Sequence, residues 1–232
     1  MHNNKKTSIK EIVFTISFSG DYTSKNLEDF ASLQEIASVF QKKVDYNYTS
    51  EVRKNPIFTN TSFGLILQHK EDTNKILNIK NGLFSFHKVK EYENYESLFE
   101  NLQNYWGIFS KMNNILITKI SLRYLNFIEI NDESDMKEWL NIEIKHPFNV
   151  KLINNFNQIK FIHPKDSSIE ANIITTLGKD KQQNGIILDI ILNKNINHQN
   201  FKNIHDLFEN MREIKNDIYE QSITEQTKKL YK

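Results

Sequence analysis

Residues 115–130 read ILITKISLRYLNFIEI. The even positions Leu116, Ile120, Leu122, Tyr124, Ile128 and Ile130 are apolar or aromatic, while Lys119, Ser121, Arg123, Phe127 and Glu129 stand between them. Successive side chains of a strand point to opposite faces of a sheet, so this period of two describes a long strand with one face in a core. Such a strand needs neighbours and a cover, and the residues on either side supply both.

Upstream, Tyr95, Leu98, Phe99, Leu102, Tyr105, Trp106 and Phe109 recur at the spacing that places them on one face of a helix. Each large side chain contributes roughly 1.5–3 kcal/mol on burial, which makes this stripe a core helix rather than a surface on which bases stack. Before it, Phe58 to His69, Lys75 to Lys80 and Gly82 to Lys90 read as three strands, the last two joined at Asn81-Gly82. Asn-Gly between alternating segments predicts a type I′ hairpin turn, since both residues tolerate positive φ. Asp45 to Pro56 is polar and reads as a loop. Leu27, Phe30, Leu33, Ala37 and Phe40 recur at helical spacing, and Ile9 to Phe18 alternates as a first strand.

Downstream, Ser134 to Leu140 predicts a turn of helix. Phe148 to Pro164, Ile169 to Leu177 and Gly185 to Asn193 predict three strands. Phe201, Ile204, Leu207, Phe208, Met211, Ile214 and Ile218 form a closing amphipathic helix, and Ser222-Ile223-Thr224-Glu225 has the Ser-x-x-Glu form that caps a new short helix running to Tyr231. The expected fold is therefore α+β, a long and mostly antiparallel sheet with two or three packed helices. The order of elements repeats, β-α-βββ-α over residues 1–113 and β-βββ-α over 114–232, so two pseudo-equivalent halves packed as one compact unit are expected.

The composition agrees with a folded chain and removes several chemistries. Ile, Leu, Val and Phe supply 71 of the 232 residues, well above the roughly 20 % below which too little apolar surface can be buried. With 30 Lys plus Arg against 29 Asp plus Glu, the net charge is +1, so there is no overall field for nucleic acid or an anionic membrane. There is no cysteine, hence no disulfide, thiolate metal site or thiol nucleophile. No apolar stretch approaches the length of a membrane span and no signal peptide is readable, which gives a cytoplasmic expectation. Six glycines form no phosphate loop, dinucleotide fingerprint or nucleophile elbow, and no two histidines stand at i, i+4. No catalytic residue, metal site or cofactor is expected.

What remains is Arg123, one of three arginines in a lysine-biased chain. Its planar fork inside a strand calls for a carboxylate or phosphate. Asp189, which interrupts the apolar run 186–192, is the obvious partner. Arg123, Asn126 and Asp189 form the candidate polar cluster, and Lys119 marks a candidate basic face. Two readings stand: an Arg123–Asp189 ion pair that fixes the sheet, or a groove where both meet an anionic ligand.

The sequence also resembles a known family. Leu122-Arg123-Tyr124-Leu125-Asn126, the aromatic segment Phe86 to Leu98, Ile187-Leu188-Asp189-Ile190, Ile204-His205-Asp206-Leu207 and Ile223-Thr224-Glu225 occur in order. Together they resemble a sporadically distributed family of prokaryotic proteins of about this length, whose middle strand is similar to Gly-Leu-Arg-Tyr-Ile-Asn. Ser121 stands where that strand has glycine, and Phe127 where a second arginine is expected. The resemblance implies no reaction. Its sporadic distribution implies an accessory system, such as phage defence or toxin control. The expected function is accordingly a non-enzymatic binding or regulatory component acting on another protein encoded nearby. The alternative is a nucleic-acid-binding protein using the sheet face that carries Lys119 and Arg123.

Overall fold

A computed structural model describes residues 7–52, 58–130, 136–142, 156–198 and 202–231. Nine strands are present among the described residues: β1 (Ile9–Asp21), β2 (Phe40–Val52), β3 (Phe58–His69), β4 (Lys75–Lys80), β5 (Leu83–Val89), β6 (Asn114–Glu129), β7 (Phe156–Ile162), β8 (Ile169–Asp180) and β9 (Gln183–His198). The helices are α1 (Ser24–Ser32), α2 (Gln34–Ala37), α3 (Tyr95–Lys111), α4 (Lys202–Ser222) and α5 (Glu225–Leu230), with a 3-10 turn at Met136–Glu138. The strands follow the hydrogen-bonded order β2-β3-β4-β5-β1-β6-β9-β8-β7. This is the expected α+β class with an antiparallel sheet.

The first half departs from the expected β-α-βββ-α, because β2 adds a fourth strand between α2 and α3. In each half the last strand of the meander, β5 or β9, returns to pair beside the opening strand, β1 or β6. The compact units, however, do not divide the chain at 113/114. One consists of Met1–Ile12, Ser121–Lys194 and Lys202–Lys232, and the other of Val13–Ile120 and Asn195–Phe201. Both β1 and β6 are long enough to contribute residues to each unit.

In the unit built on 13–120, all seven members of the α3 stripe are buried. Asn94 caps the helix by accepting from the Ser97 N–H at 2.8 Å. The stripe meets aromatic residues of the sheet: Phe14 lies 5.6 Å from Tyr95, Phe18 is 5.7 Å from Trp106, and Phe84 is 5.4 Å from both Trp106 and Phe109. These tilted and edge-on pairs are the arrangement aromatic quadrupoles favour.

A charge cluster around one buried lysine belongs to the same unit. Lys88, 3 % exposed, puts its Nζ 2.6 Å from Asp72 Oδ2 and 3.4 Å from Glu93 Oε1. Its cross-strand partner Lys75 reaches the same Glu93 oxygen at 3.1 Å. Burial raises the Asp72 and Glu93 carboxyls, but the lysine hydrogen bonds and charges outweigh it and hold both below the usual range.

Three expectations need correction here. Residues 45–52 are not loop: β2 pairs with β3 from Phe40↔His69 to Val52↔Phe58. As a terminal strand of the sheet, β2 keeps the polar composition that read as a connection. Phe40 opens that strand instead of ending a helix. The helix itself stops at Ser32, because Leu33 adopts an extended ψ of 136°. The Asn81-Gly82 hairpin exists, with Lys80 paired to Leu83. Gly82 alone of the two has positive φ, 69°, so the turn is not type I′. A Cβ at Gly82 would also come 2.9 Å from the Phe18 carbonyl, while Asn81 instead accepts from the Phe63 N–H at 3.1 Å.

In the other unit the inward faces of β8 and β9 carry Ile169, Ala171, Ile173, Ile186, Leu188, Ile190 and Leu192. On α4, Ile204, Phe208, Met211, Ile214 and Ile218 are buried. The break at 222–224 holds, with a different cap: Thr224, not Ser222, accepts from the Thr227 N–H. The Thr224 and Thr227 hydroxyls also donate to the carbonyls of Glu138 and Trp139, at 2.6 Å each. This fastens α5 to the segment after the 3-10 turn. Residues 134–135 and 148–155, on which a helix and a strand were expected, lie outside the described residues.

Candidate functional site

β6 and β9 are neighbours, which brings Arg123 and Asp189 together. Arg123 Nε donates to Asp189 Oδ1 and Oδ2 at 2.9 and 3.1 Å, and Nη2 donates to Oδ2 at 2.8 Å. Glu11 Oε2 stands 3.8 Å from Nη1. Asp189 is 5 % exposed while the Arg123 side chain is partly exposed, so the buried carboxylate is held by a forked ion pair at the edge of solvent. The Asp189 bonds, followed by the Glu11 charge, outweigh desolvation and push the Arg123 guanidinium above its ordinary value. With two carboxylates already facing it, this fork offers a second anion little.

Asn126 does not join that pair. It lies an odd number of residues from Arg123, and the pleat turns it to the other face. There it is buried, donates Nδ2 to the Leu188 carbonyl at 3.1 Å, and accepts from Ser8 Oγ at 3.1 Å. Lys119 is half-buried in the other compact unit, on the stretch of β6 that ends at Ile120. Of the candidate residues, then, two meet and two do not.

The buried face around Asn126 holds something the sequence reading passed over. A cavity of about 260 Å³ is lined by Thr7, Ser8, Ile9, Asn126, Lys215, Tyr219 and Tyr231, all in one unit. Its polar wall is a chain of bonds. Ser8 Oγ is 2.7 Å from the Tyr219 hydroxyl, and since the Ser8 proton goes to Asn126, Tyr219 donates to Ser8. Tyr231 accepts from the Glu129 N–H at 3.2 Å and donates to the Phe127 carbonyl at 3.3 Å. Burial raises both tyrosine hydroxyls.

Lys215 is the exception. It is 8 % exposed, and its Nζ lies 4.0 Å from the centre of the Tyr124 ring. Among the described residues it has no hydrogen bond and no ion pair. Burial, followed by the nearby Arg212 charge, lowers its pKa to about 8, against a small opposing effect of Glu220. Glu220 itself reaches toward Lys228, at 3.6 Å. The signal in the sequence was the helix period: Lys215 follows Met211 by four residues and precedes Ile218 by three, which places a lysine on the apolar stripe of α4.

Among the described residues no group of three or more His, Asp or Glu side chains could hold a metal ion, and no helix is long and apolar enough to cross a membrane. Comparison of the chain with family models, with curated proteins and with solved structures finds no match.

Proposed function

We propose that this protein is a non-enzymatic binding or regulatory component of an accessory prokaryotic system, acting through contact with another protein. One observation carries the reading. β7 is a terminal strand, and its seven residues hold the exposed side chains Phe156 (68 %), Ile162 (55 %) and Ile159 (40 %). Terminal strands ordinarily carry charge or proline to discourage pairing, and one with exposed apolar side chains suits a partner strand added to the edge that is unpaired among the described residues. Phe156 and Ile162 are an even number of residues apart and share a face, which gives such a partner two anchors. The resemblance to a sporadically distributed family supports an accessory role.

The nucleic-acid alternative is less well supported, because Arg123, the strongest phosphate ligand on the proposed basic face, is engaged by Asp189. Affinity capture from the native host tests the first reading. The double variant Phe156→Glu/Ile162→Lys should keep the parent circular dichroism and melting temperature yet lose the protein that co-purifies with the parent. Retention of that protein by the variant would refute the β7 contact. Salt-dependent retention of the parent on heparin, abolished by Lys119→Glu, would favour the alternative.

A further inference from the structure

The cavity beside Asn126 has a definite donor inventory. The hydroxyl protons of Ser8, Tyr219 and Tyr231 are spent on protein acceptors, as is the Asn126 Nδ2 bond to Leu188. Thr7 Oγ1 accepts from the Ile9 N–H at 3.2 Å. The Lys215 ammonium, with three N–H donors and mostly charged at neutral pH, faces only the Tyr124 ring among the described residues. Among the described residues no aspartate or glutamate lines the cavity. The remainder of the wall is the Ile9 side chain and the tyrosine rings.

A buried ammonium without a counter-ion costs folding free energy that an apolar residue of the same length would not. The geometry points to this cavity as a binding site for a small organic monocarboxylate, whose charge pairs with Lys215 and whose short apolar body packs against Ile9 and the rings of Tyr219 and Tyr231. One cation, with no arginine among the lining residues, matches one negative charge. Phosphate and sulfate recognition ordinarily enlists several donors at once. The volume, about 260 Å³, lies just below the roughly 300–1,000 Å³ of pockets for drug-sized ligands, so the occupant has a short chain or a single ring.

The experiment uses the full chain with hexanoate and benzoate as probes, their amides as neutral controls, and inorganic phosphate as the competing anion. Thermal unfolding should show a saturable rise in melting temperature with at least one carboxylate, no rise with its amide, and none with either in Lys215→Met. In parallel, acetylation of Lys215 in the unmodified protein at pH 8, read by peptide mass spectrometry, should slow at least about fivefold with the same carboxylate while the exposed lysines react unchanged. This second readout needs no variant to fold. Equal effects of acid and amide would overturn the proposal, as would an undiminished shift in Lys215→Met, stronger protection by phosphate than by either carboxylate, or no effect of either carboxylate in both assays.

Discussion

Two lysines in different parts of this chain are almost equally buried and have opposite surroundings. Lys88 sits opposite Lys75 in the β4–β5 hairpin, with Asp72 and Glu93 supplying two negative charges for two positive ones. Lys215 sits on α4 above a tyrosine ring with no carboxylate in bonding distance among the described residues. The first is a finished structural device whose charges cancel. The second leaves a charge unanswered beside a cavity. Arg123 sides with Lys88, since its fork is filled by Asp189. A cation in an interesting place is therefore weak evidence of a site until its counter-ions have been counted, and the residue most prominent in the sequence is the one already satisfied.

The contrast can be broken at each cation. The largest effect is expected at the engaged arginine: Arg123→Met strands the buried Asp189 carboxylate and should lower stability by about 3–5 kcal/mol, measured by urea denaturation. Adding Asp189→Leu should recover most of that loss. An unchanged midpoint in the single variant would mean that the pair contributes no structure.

Lys215→Met should act in the opposite direction, raising stability at pH 7 by up to about 3 kcal/mol, because the folded state holds that proton less tightly than the unfolded chain. The sign with pH follows. Between about 8, the folded value, and 10.5, the unfolded value, the folded protein binds fewer protons, so its stability rises with pH relative to the variant. The difference between parent and variant should be constant below pH 7 and shrink across that window. A difference that grows there would contradict an unpaired ammonium.

Lys88→Met should be milder than the arginine change, about 1–2 kcal/mol, because Asp72 and Glu93 reach water and can be hydrated once their partner is gone. The smallest effect concerns Asp166. Hydrogen bonds from Ser168, followed by Lys194, hold its carboxyl down at about 2 against desolvation. Its contribution is present above the unfolded value of 3.8 and is lost as pH falls through about 2. Asp166→Asn should cost under about 1 kcal/mol at pH 7 and flatten the acid limb of the unfolding curve between pH 4 and 2.

Elements with strong periodicity were legible before any coordinates: the α3 stripe, β6, β8, β9 and the apolar face of α4 all follow from spacing. β2 was not, because an edge strand need not alternate and its polar residues imitate a loop. The ion pair of Arg123 with Asp189 was legible from rarity of type and interruption of pattern. Asn126 was misplaced because proximity in sequence was given more weight than the pleat that separates positions 123 and 126. Lys215 was present in the pattern as a charge inside a greasy stripe and was passed over because lysine elsewhere in this chain is so common. Ser8 and Tyr231 could not have been found at all, since nothing local says that positions 118 and 104 residues from their partners at 126 and 127 come to the same wall.

That separation has a kinetic consequence. The Ser8–Tyr219 bond spans 211 residues, so the chamber joins segments that lie far apart along the chain. During synthesis a ribosome exposes one side of it long before the other, and every local hairpin can form in the interval. Closing so long a loop is rewarded only after the intervening strands have already brought its ends near each other. The wall around Lys215 therefore cannot close before residues 215–231 have been synthesised, and whatever occupies it meets a chain in which strands β1 to β9 are already made.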